Sequence, residues 1–536
     1  MTTHVPTVQR ASARTWVALA IMTLPVFMMA NDVSVLFLAL PAISADLQPQ
    51  ATQSLWILHV GELLGAGLVL TMGRLGDRVG RRRLLLIGLA AYAVASTMAA
   101  FSPNPETLIV ARALIGVSVA TISPSTFSLL RQMFPDPKQF SLAVAMNLSM
   151  FSVGMALGPP LGGLLLTYFW WGSLFLVNVP VALFALLILP FLLPEYRDPG
   201  AGRLDPRSVL LSTVALVLVV YGLQELAAQG ARPSLLAAVV VGALLLWLFV
   251  RRQRRLADPL LDLGMFARPV FAVAVSLSFL MLLAASGADL FLVQFLQSAL
   301  GLSPGVVGLL LILPAAASFV STMLTPVLIR FMGSGAVVGS GMLLAAGGLM
   351  VVLFAAGSGT VWALMLGSTL VSVGGGPVMT LGSQLALSSV PMERTGSASA
   401  VGDVSSGLGQ TLGLALIGSL GLAVYRISLS GSLPEGVSSA QGDVAGDSIG
   451  GAVAVSEQVG GSTGAALREA AGSAFGLGLQ VSAGAGAVML TVAAVVVPVL
   501  LRGHRADRPE ESQPGRGSAS APESASLHEH GSGDTA

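Results

Sequence analysis

Apolar runs of bilayer length recur along almost the whole chain, and nothing else in the sequence restricts its folding so severely. They lie near residues 15–40, 54–73, 84–102, 107–128, 141–168, 173–193, 208–228, 234–250, 270–299, 304–329, 335–357, 360–388, 396–425 and 474–501. A helix needs about 20 apolar residues to cross the hydrocarbon, and within lipid it must satisfy its own backbone N–H and C=O groups. The fourteen runs therefore predict an all-α integral membrane protein. Composition agrees, since 54% of the 536 residues are hydrophobic and only 10% are charged, too few for a surface wholly in water.

Composition also removes several function classes. The chain has no cysteine, which excludes disulfides and thiolate metal sites. A net charge of +1 argues against a nucleic-acid partner. Lys138, the single lysine, stands in FPDPKQF, whereas a Walker A loop needs Gly-Lys-Ser/Thr, so ATP is not the expected energy source. Of His4, His59, His504, His528 and His530, only His59 falls in an apolar run, and no metal or nucleophile constellation forms. No cofactor, no metal and no enzymatic activity are expected. The first apolar run follows Arg10 and Arg14, is too long for a signal-peptide core and leads into Pro41, so it reads as a retained helix.

With the runs numbered as helices 1–14, arginines collect in alternate short loops. Arg74, Arg78, Arg81, Arg82 and Arg83 follow helix 2; Arg131 and Lys138 follow helix 4; Arg251, Arg252, Arg254 and Arg255 follow helix 8. The intervening short loops are nearly free of them, Arg232 excepted. The positive-inside rule then places these loops and both termini in the cytoplasm, and the protein in the inner (cytoplasmic) membrane. The expected organisation is a cytoplasmic N-terminus 1–14, a six-helix bundle 15–193, two inserted helices with linkers 194–269, a second six-helix bundle 270–501, and a disordered tail 502–536. An outer loop of about 426–473 reads either as a short amphipathic hairpin or as a flexible Gly/Ser loop.

Four stretches carry chemistry. Between helices 2 and 3, GRLGDRVGRRR holds Gly73, Gly76 and Gly80, which permit a tight turn, and Asp77, which can cap a neighbouring helix N-terminus. Together with Arg78 and Arg81 this is a candidate gate; the plain alternative is a solvated positive loop. TPVLIRFMGSG, between helices 10 and 11, is its faded echo and suggests two structural repeats. On helix 4, Arg112 sits in LIVARALIGVSVA with Gly116 and Ala120 on its face, placed either to hold a protonatable partner or to snorkel. On helix 5, SVGMALGPPLGG supplies a Gly154/Gly158 packing face, then Pro159, Pro160, Gly162 and Gly163 as a hinge.

These motifs resemble the major facilitator superfamily. The Gly-Asp-Arg-x-Gly-Arg loop is similar to its signature, and GxxxGPxxGG on helix 5 is similar to the antiporter motif of its exporters; on helix 4, Ile115 stands where a glutamine is common. WWGSLFLVNVPVAL, the helix count and PMERTGSASAVGD before helix 13 look like the fourteen-helix drug:proton antiporter branch of QacA-like and LfrA-like multidrug exporters. The resemblance implies a superfamily fold with six, two and six helices. It also implies proton-driven efflux of amphipathic, often cationic, small molecules by a monomer in the lipid bilayer.

Charged residues within the runs are few: Asp32, Glu62, Arg112, Glu225, Asp289 and Asp403. Each costs about 2.5–3.5 kcal/mol to insert, so they are expected to face a cavity or one another. Ser399, Asp403, Ser406, Gln410 and Gly413 recur at helical spacing and predict a water-lining stripe on helix 13. A carboxylate there can hold a proton or a cation but not both, which makes exchange possible. By resemblance Asp32, in the helix 1 motif DVSVLFLALP, couples protons, or else is only a partner for Arg112. Asp403 is implied in cation recognition, with Ser406, Gln410 and Asn31 as substrate-binding companions. Asp289 is a third acid or a packing group beside Gln294 and Gln297. His59 departs from the family, where an aspartate is common; with Glu62 it makes a proton relay or an inert pair. Glu225 reads as interfacial, and Trp16, Trp170, Trp171 and Trp247 as belt anchors. An exporter of one endogenous metabolite or antibiotic, or a proton-coupled nutrient symporter, would share the fold; the helix 5 motif and the excess of acids favour export of a cation.

Overall fold

A computed structural model describes residues 11–195, 197, 205–229, 232–256, 259, 263–390 and 395–501. The first ten residues and the tail 502–536 lie outside these. The described chain is helical throughout: α1 (Ala13–Leu47), α2 (Ala51–Val79), α3 (Arg81–Ala100), α4 (Pro105–Met133), α5 (Pro137–Tyr168), α6 (Ser173–Leu192), α7 (Pro206–Gln229), α8 (Pro233–Gln253), α9 (Pro269–Ala299), α10 (Pro304–Met332), α11 (Ser334–Ser358), α12 (Val361–Ser388), α13 (Thr395–Gly413, a π turn Leu414–Gly418, then Ser419–Ser430) and α14 (Gly461–Leu501). Thirteen of these are long and apolar enough to cross a bilayer, and α2 makes a fourteenth if its two legs, bent by 57°, count as one span.

Helix starts follow local chemistry. Asn104 and Ser303 each accept a hydrogen bond from an N–H of the first turn, and Pro105 and Pro304 occupy the first helical position, where a missing N–H does no harm. The two largest cores centre one on each half, the first on α1–α6 around Leu19, Met22 and Tyr92, the second on α9–α14 around Ala284, Leu349 and Leu479, and each takes a few residues from the other half. The halves share a device: Gly80 between α2 and α3 has φ +117°, and Gly333 between α10 and α11 has φ +79°, a left-handed turn that suits glycine at the same place in each half. In lipid, helices associate through close packing, and small residues permit it. A Cβ on Gly116 would stand 2.0 Å from the Gly61 carbonyl oxygen, so α2 and α4 touch backbone to backbone.

α7 and α8 form a hairpin of their own, with Gly222 against Val239 and Gly242 against Val219. Its base is a polar knot. Arg252 donates to both oxygens of Asp205 at 2.7 and 3.0 Å, Ser208 donates to Asp205 at 2.5 Å, and Gln253 donates to Ser208 at 2.8 Å. Arg252 holds the Asp205 carboxyl well below the usual range, at about 2.

Two expectations need correction. The segment between the last two spans is shorter than 426–473, because α13 runs to Ser430 and α14 begins at Gly461; between them stand helices Ser439–Asp447 and Ile449–Val459. These are held rather than loose: Tyr425 donates to the Ala445 carbonyl at 2.7 Å, Arg426 pairs with Asp447 at 2.5 Å, and Ile449, Ala452 and Val455 are buried. Glu225, four residues from the end of α7, is buried against protein. Trp171 is buried too and donates to Asp46 at 2.6 Å instead of lying in the lipid belt.

Gly116→Ala should lower stability by about 1–3 kcal/mol through overpacking, whereas Gly347→Ala, with no atom within 4 Å of the new Cβ, should not; unfolding midpoints of the purified variants compare the two. Because the Asp205 carboxyl is depressed, its contribution is full above the unfolded value near ~4 and is lost as pH falls toward about 2. Asp205→Asn should remove that contribution at neutral pH, read as faster proteolysis at the hairpin base.

Candidate functional site

The charged residues of α1, α2 and α4 meet inside the first half. Arg112 is 1% exposed; its Nη1 donates to Asp32 Oδ2, and its Nε donates to the Ile57 carbonyl at 3.2 Å. Arg112 therefore does not snorkel: one guanidinium joins three helices. Asn31, expected beside substrate, is buried and donates to Asn178 at 3.4 Å, and Asn178 donates to Tyr92 at 3.2 Å. Its side chain belongs to the interior of the first half.

Glu62 lies one turn from His59, within electrostatic range of Asp32 and Arg112. His59 is fully buried with its ring edge-on to Trp56, centroids 4.8 Å apart. Glu62 Oε1 accepts a hydrogen bond from Gln410 Nε2 of α13 at 2.8 Å, so a carboxylate of the first half is read by an amide of the second. Its Oε2 is buried and has no hydrogen-bond partner among the described residues. A fully ionised carboxylate with one oxygen unanswered is costly out of water, which suits a group that carries a proton.

The second half presents unanswered acids. Asp289 is exposed, yet residues 284–288 and 290–296 on either side of it are buried. A lipid-facing position would leave an exposed stripe at 285, 286, 292 and 293, so Asp289 opens onto internal space. It does not bond Gln294 or Gln297; Gln297 donates to the Leu38 carbonyl of α1 at 3.0 Å. Asp403 lines a recess of about 60 Å³ with Ser406, Ser278 of α9, and Gly382 and Ser383 of α12. Among the described residues neither acid has a hydrogen bond or ion pair. The expected stripe on α13 is shorter than its sequence pattern: Gly413 packs on the Leu283 backbone, and the side chain of Ser399 lies outside the described ones.

The glycine motifs are closures. Gly154 meets Phe27 and Ala30 of α1, and Gly158 meets Ser34. Beyond them Gly163 meets the Pro304 carbonyl of α10 and Gly308 meets the Pro159 carbonyl, with added Cβ atoms only 2.5 and 2.3 Å away. The halves are thus shut at the end opposite the termini. At the end bearing the termini, Asp77 does not cap a helix of the other half; it pairs with Arg81 across Gly80, while Arg78 is exposed.

A family model described as Major Facilitator Superfamily matches residues 22–285. The multidrug efflux pump LfrA of Mycolicibacterium smegmatis is 39% identical over 93% of this chain and 98% of its own. The chain belongs to the major facilitator superfamily. The methyl viologen resistance protein SmvA of Salmonella typhimurium is 31% identical over 90% of this chain and 97% of its own. In fold, a bacterial homolog to the human lysosomal transporter Spinster, inward-facing and unoccupied, matches 92% of this chain and 98% of its own with a TM-score of 0.64 at 16% identity. The protein is a multi-pass membrane transporter of this superfamily and not an enzyme. Gln410 was legible from the helical spacing on α13, but its partner was not, because 348 residues separate it from Glu62.

Asp32→Asn alone strands Arg112, and Arg112→Met alone strands Asp32; each should cost about 3–5 kcal/mol, the double variant less than either. Thermal unfolding in detergent measures the difference.

Proposed function

We propose that this protein exports amphipathic cationic drugs or antibiotics across the cytoplasmic membrane in exchange for protons, by alternating access, as a monomer with both termini in the cytoplasm. The observation that carries this reading is the Glu62 carboxyl, bonded across the two halves by Gln410 with its other oxygen unanswered. Similarity to LfrA and SmvA over nearly the whole chain supports a drug substrate, and the resistance to methyl viologen, a dication, for which SmvA is named supports a positive charge.

Glu62 carries the proton. When it releases it, a second negative charge stands beside the Asp32–Arg112 pair, and a cation in the cavity is the natural counter-charge. Proton and cation then exclude one another. Asp403, Ser406 and Asp289 receive the cation from the second half, and His59, one turn from Glu62, relays the proton. The halves rock about this site, opening one end as the other shuts at Gly163 and Pro304. The driving force suffices, since one charge crossing 100 mV is worth about 2.3 kcal/mol.

Purified protein in proteoliposomes should release protons on adding ethidium or methyl viologen. Glu62→Gln should abolish the release, and Asp403→Asn should weaken cation binding by about tenfold while sparing neutral drugs. Unchanged proton release from Glu62→Gln would sink the reading.

A further inference from the structure

The α7–α8 hairpin belongs to neither six-helix half, and the site above uses neither helix. Its placement is nonetheless specific. Just after α6, at the start of the linker toward α7, Glu195 lies 3.6 Å from both Arg82 and Arg83 of the first half. Just beyond α8, Arg74 of α2 donates to the Pro259 carbonyl at 2.5 Å. The linkers leading into and out of the insert therefore both carry contacts to the first half.

Within the membrane α7 follows α2. A Cβ on Gly67 would stand 3.7 Å from Thr213 Oγ1 and 3.8 Å from Leu216. The Tyr221 ring lies 6.5 Å from Trp56, the ring that contacts His59. α7 also reaches the second half. Val220 shares one buried apolar cluster with Leu63 of α2 and Ala415 of α13, and Val217, Leu408 and Leu412 pack against it. This cluster covers the seam between α2 and α13. Leu63 is the neighbour of Glu62, and Gln410 bonds Glu62 across that same seam.

Hydrocarbon cannot satisfy a carboxyl or an amide, so a seam holding this bond needs an apolar cover on its lipid side. The cover touches both halves but is anchored to one. We propose that the α7–α8 hairpin is a side wall carried by the first half, which keeps lipid from the Glu62–Gln410 seam, slips over α13 as the halves rock, and positions His59 through Tyr221 and Trp56. What the wall protects rests on Glu62 as proton carrier; its anchoring and slipping do not.

The natural absence of cysteine makes paired substitutions clean reporters. Gly67→Cys with Thr213→Cys fastens α7 to α2, and Val220→Cys with Ala415→Cys fastens α7 to α13. Cross-linking is read by mobility on a gel, with a short bismaleimide where no disulfide forms. In proteoliposomes the first link should leave methyl viologen:proton exchange within about twofold of the reduced form; the second should slow it by about tenfold or more, with recovery on reduction. Exchange that persists through a complete α7–α13 link, or stops with the α7–α2 link, overturns the proposal. For the positioning role, Tyr221→Ala should displace the pH profile of exchange while Tyr221→Phe keeps it; coincident profiles for all three proteins overturn that part. Glu62→Gln separates the two readings: exchange surviving in that variant removes the carrier, yet leaves the cross-linking result to judge the wall.

Discussion

A charge taken out of water has to be answered by another charge or by hydrogen bonds, and the Asp32–Arg112 pair meets that condition in full. The pair ties α1 to α4, and the second contact of the guanidinium, the Ile57 carbonyl, brings in α2. Such a three-helix joint needs the helices unusually close. Gly61 and Gly116 supply that closeness, for a Cβ on Gly61 would already stand 3.0 Å from the Arg112 carbonyl oxygen. Charge pairing and glycine packing in the first half are therefore one arrangement, and neither is stable without the other.

Against that joint Glu62, Asp289 and Asp403 stand out, because among the described residues no ion pair answers them. Glu62 has half an answer, one oxygen bonded and one not. Asp289 and Asp403 have none among the described residues. Arg112 is already engaged by Asp32, and Arg426 pairs with Asp447 at the far end of α13. On the proposed reading these acids attract positive species, protons and organic cations alike, and the competition between them follows from charge.

Much of the fold was legible from the sequence because hydrocarbon imposes a length and a composition on every span. The arginine-glycine turns were legible too, since Gly80 and Gly333 occupy backbone conformations that other residues rarely adopt. What the sequence concealed were pairings across large separations. Asn31 adjoins Asp32, but adjacent helical residues point about 100° apart, so one meets Arg112 while the other turns inward to Asn178. Asp77 reads as a cap for another helix, but Arg81 is four residues away and reaches it first. The short helices after Ser430 were ambiguous because their residues are small and polar; their burial depends on Tyr425 and on packing against α1 and α14, which no local pattern reveals.

The contacts between the halves differ in kind from those within them. Inside the first half, the Asp32–Arg112 pair would cost several kcal/mol to break, about 3–5 if one partner is lost. Where the halves close at the end opposite the termini, Gly163 faces the Pro304 carbonyl and Gly308 faces the Pro159 carbonyl, contacts worth only about 0.1–0.2 kcal/mol per atom pair. An interface of that sort parts at small cost and re-forms without finding new polar partners. The helices of each half consequently move together, and the seam yields before the bundles do. Polar bonds also cross between the halves, Gln297 to the Leu38 carbonyl and Gln410 to Glu62; the second lies beside the proposed proton, where its making and breaking can be felt by both.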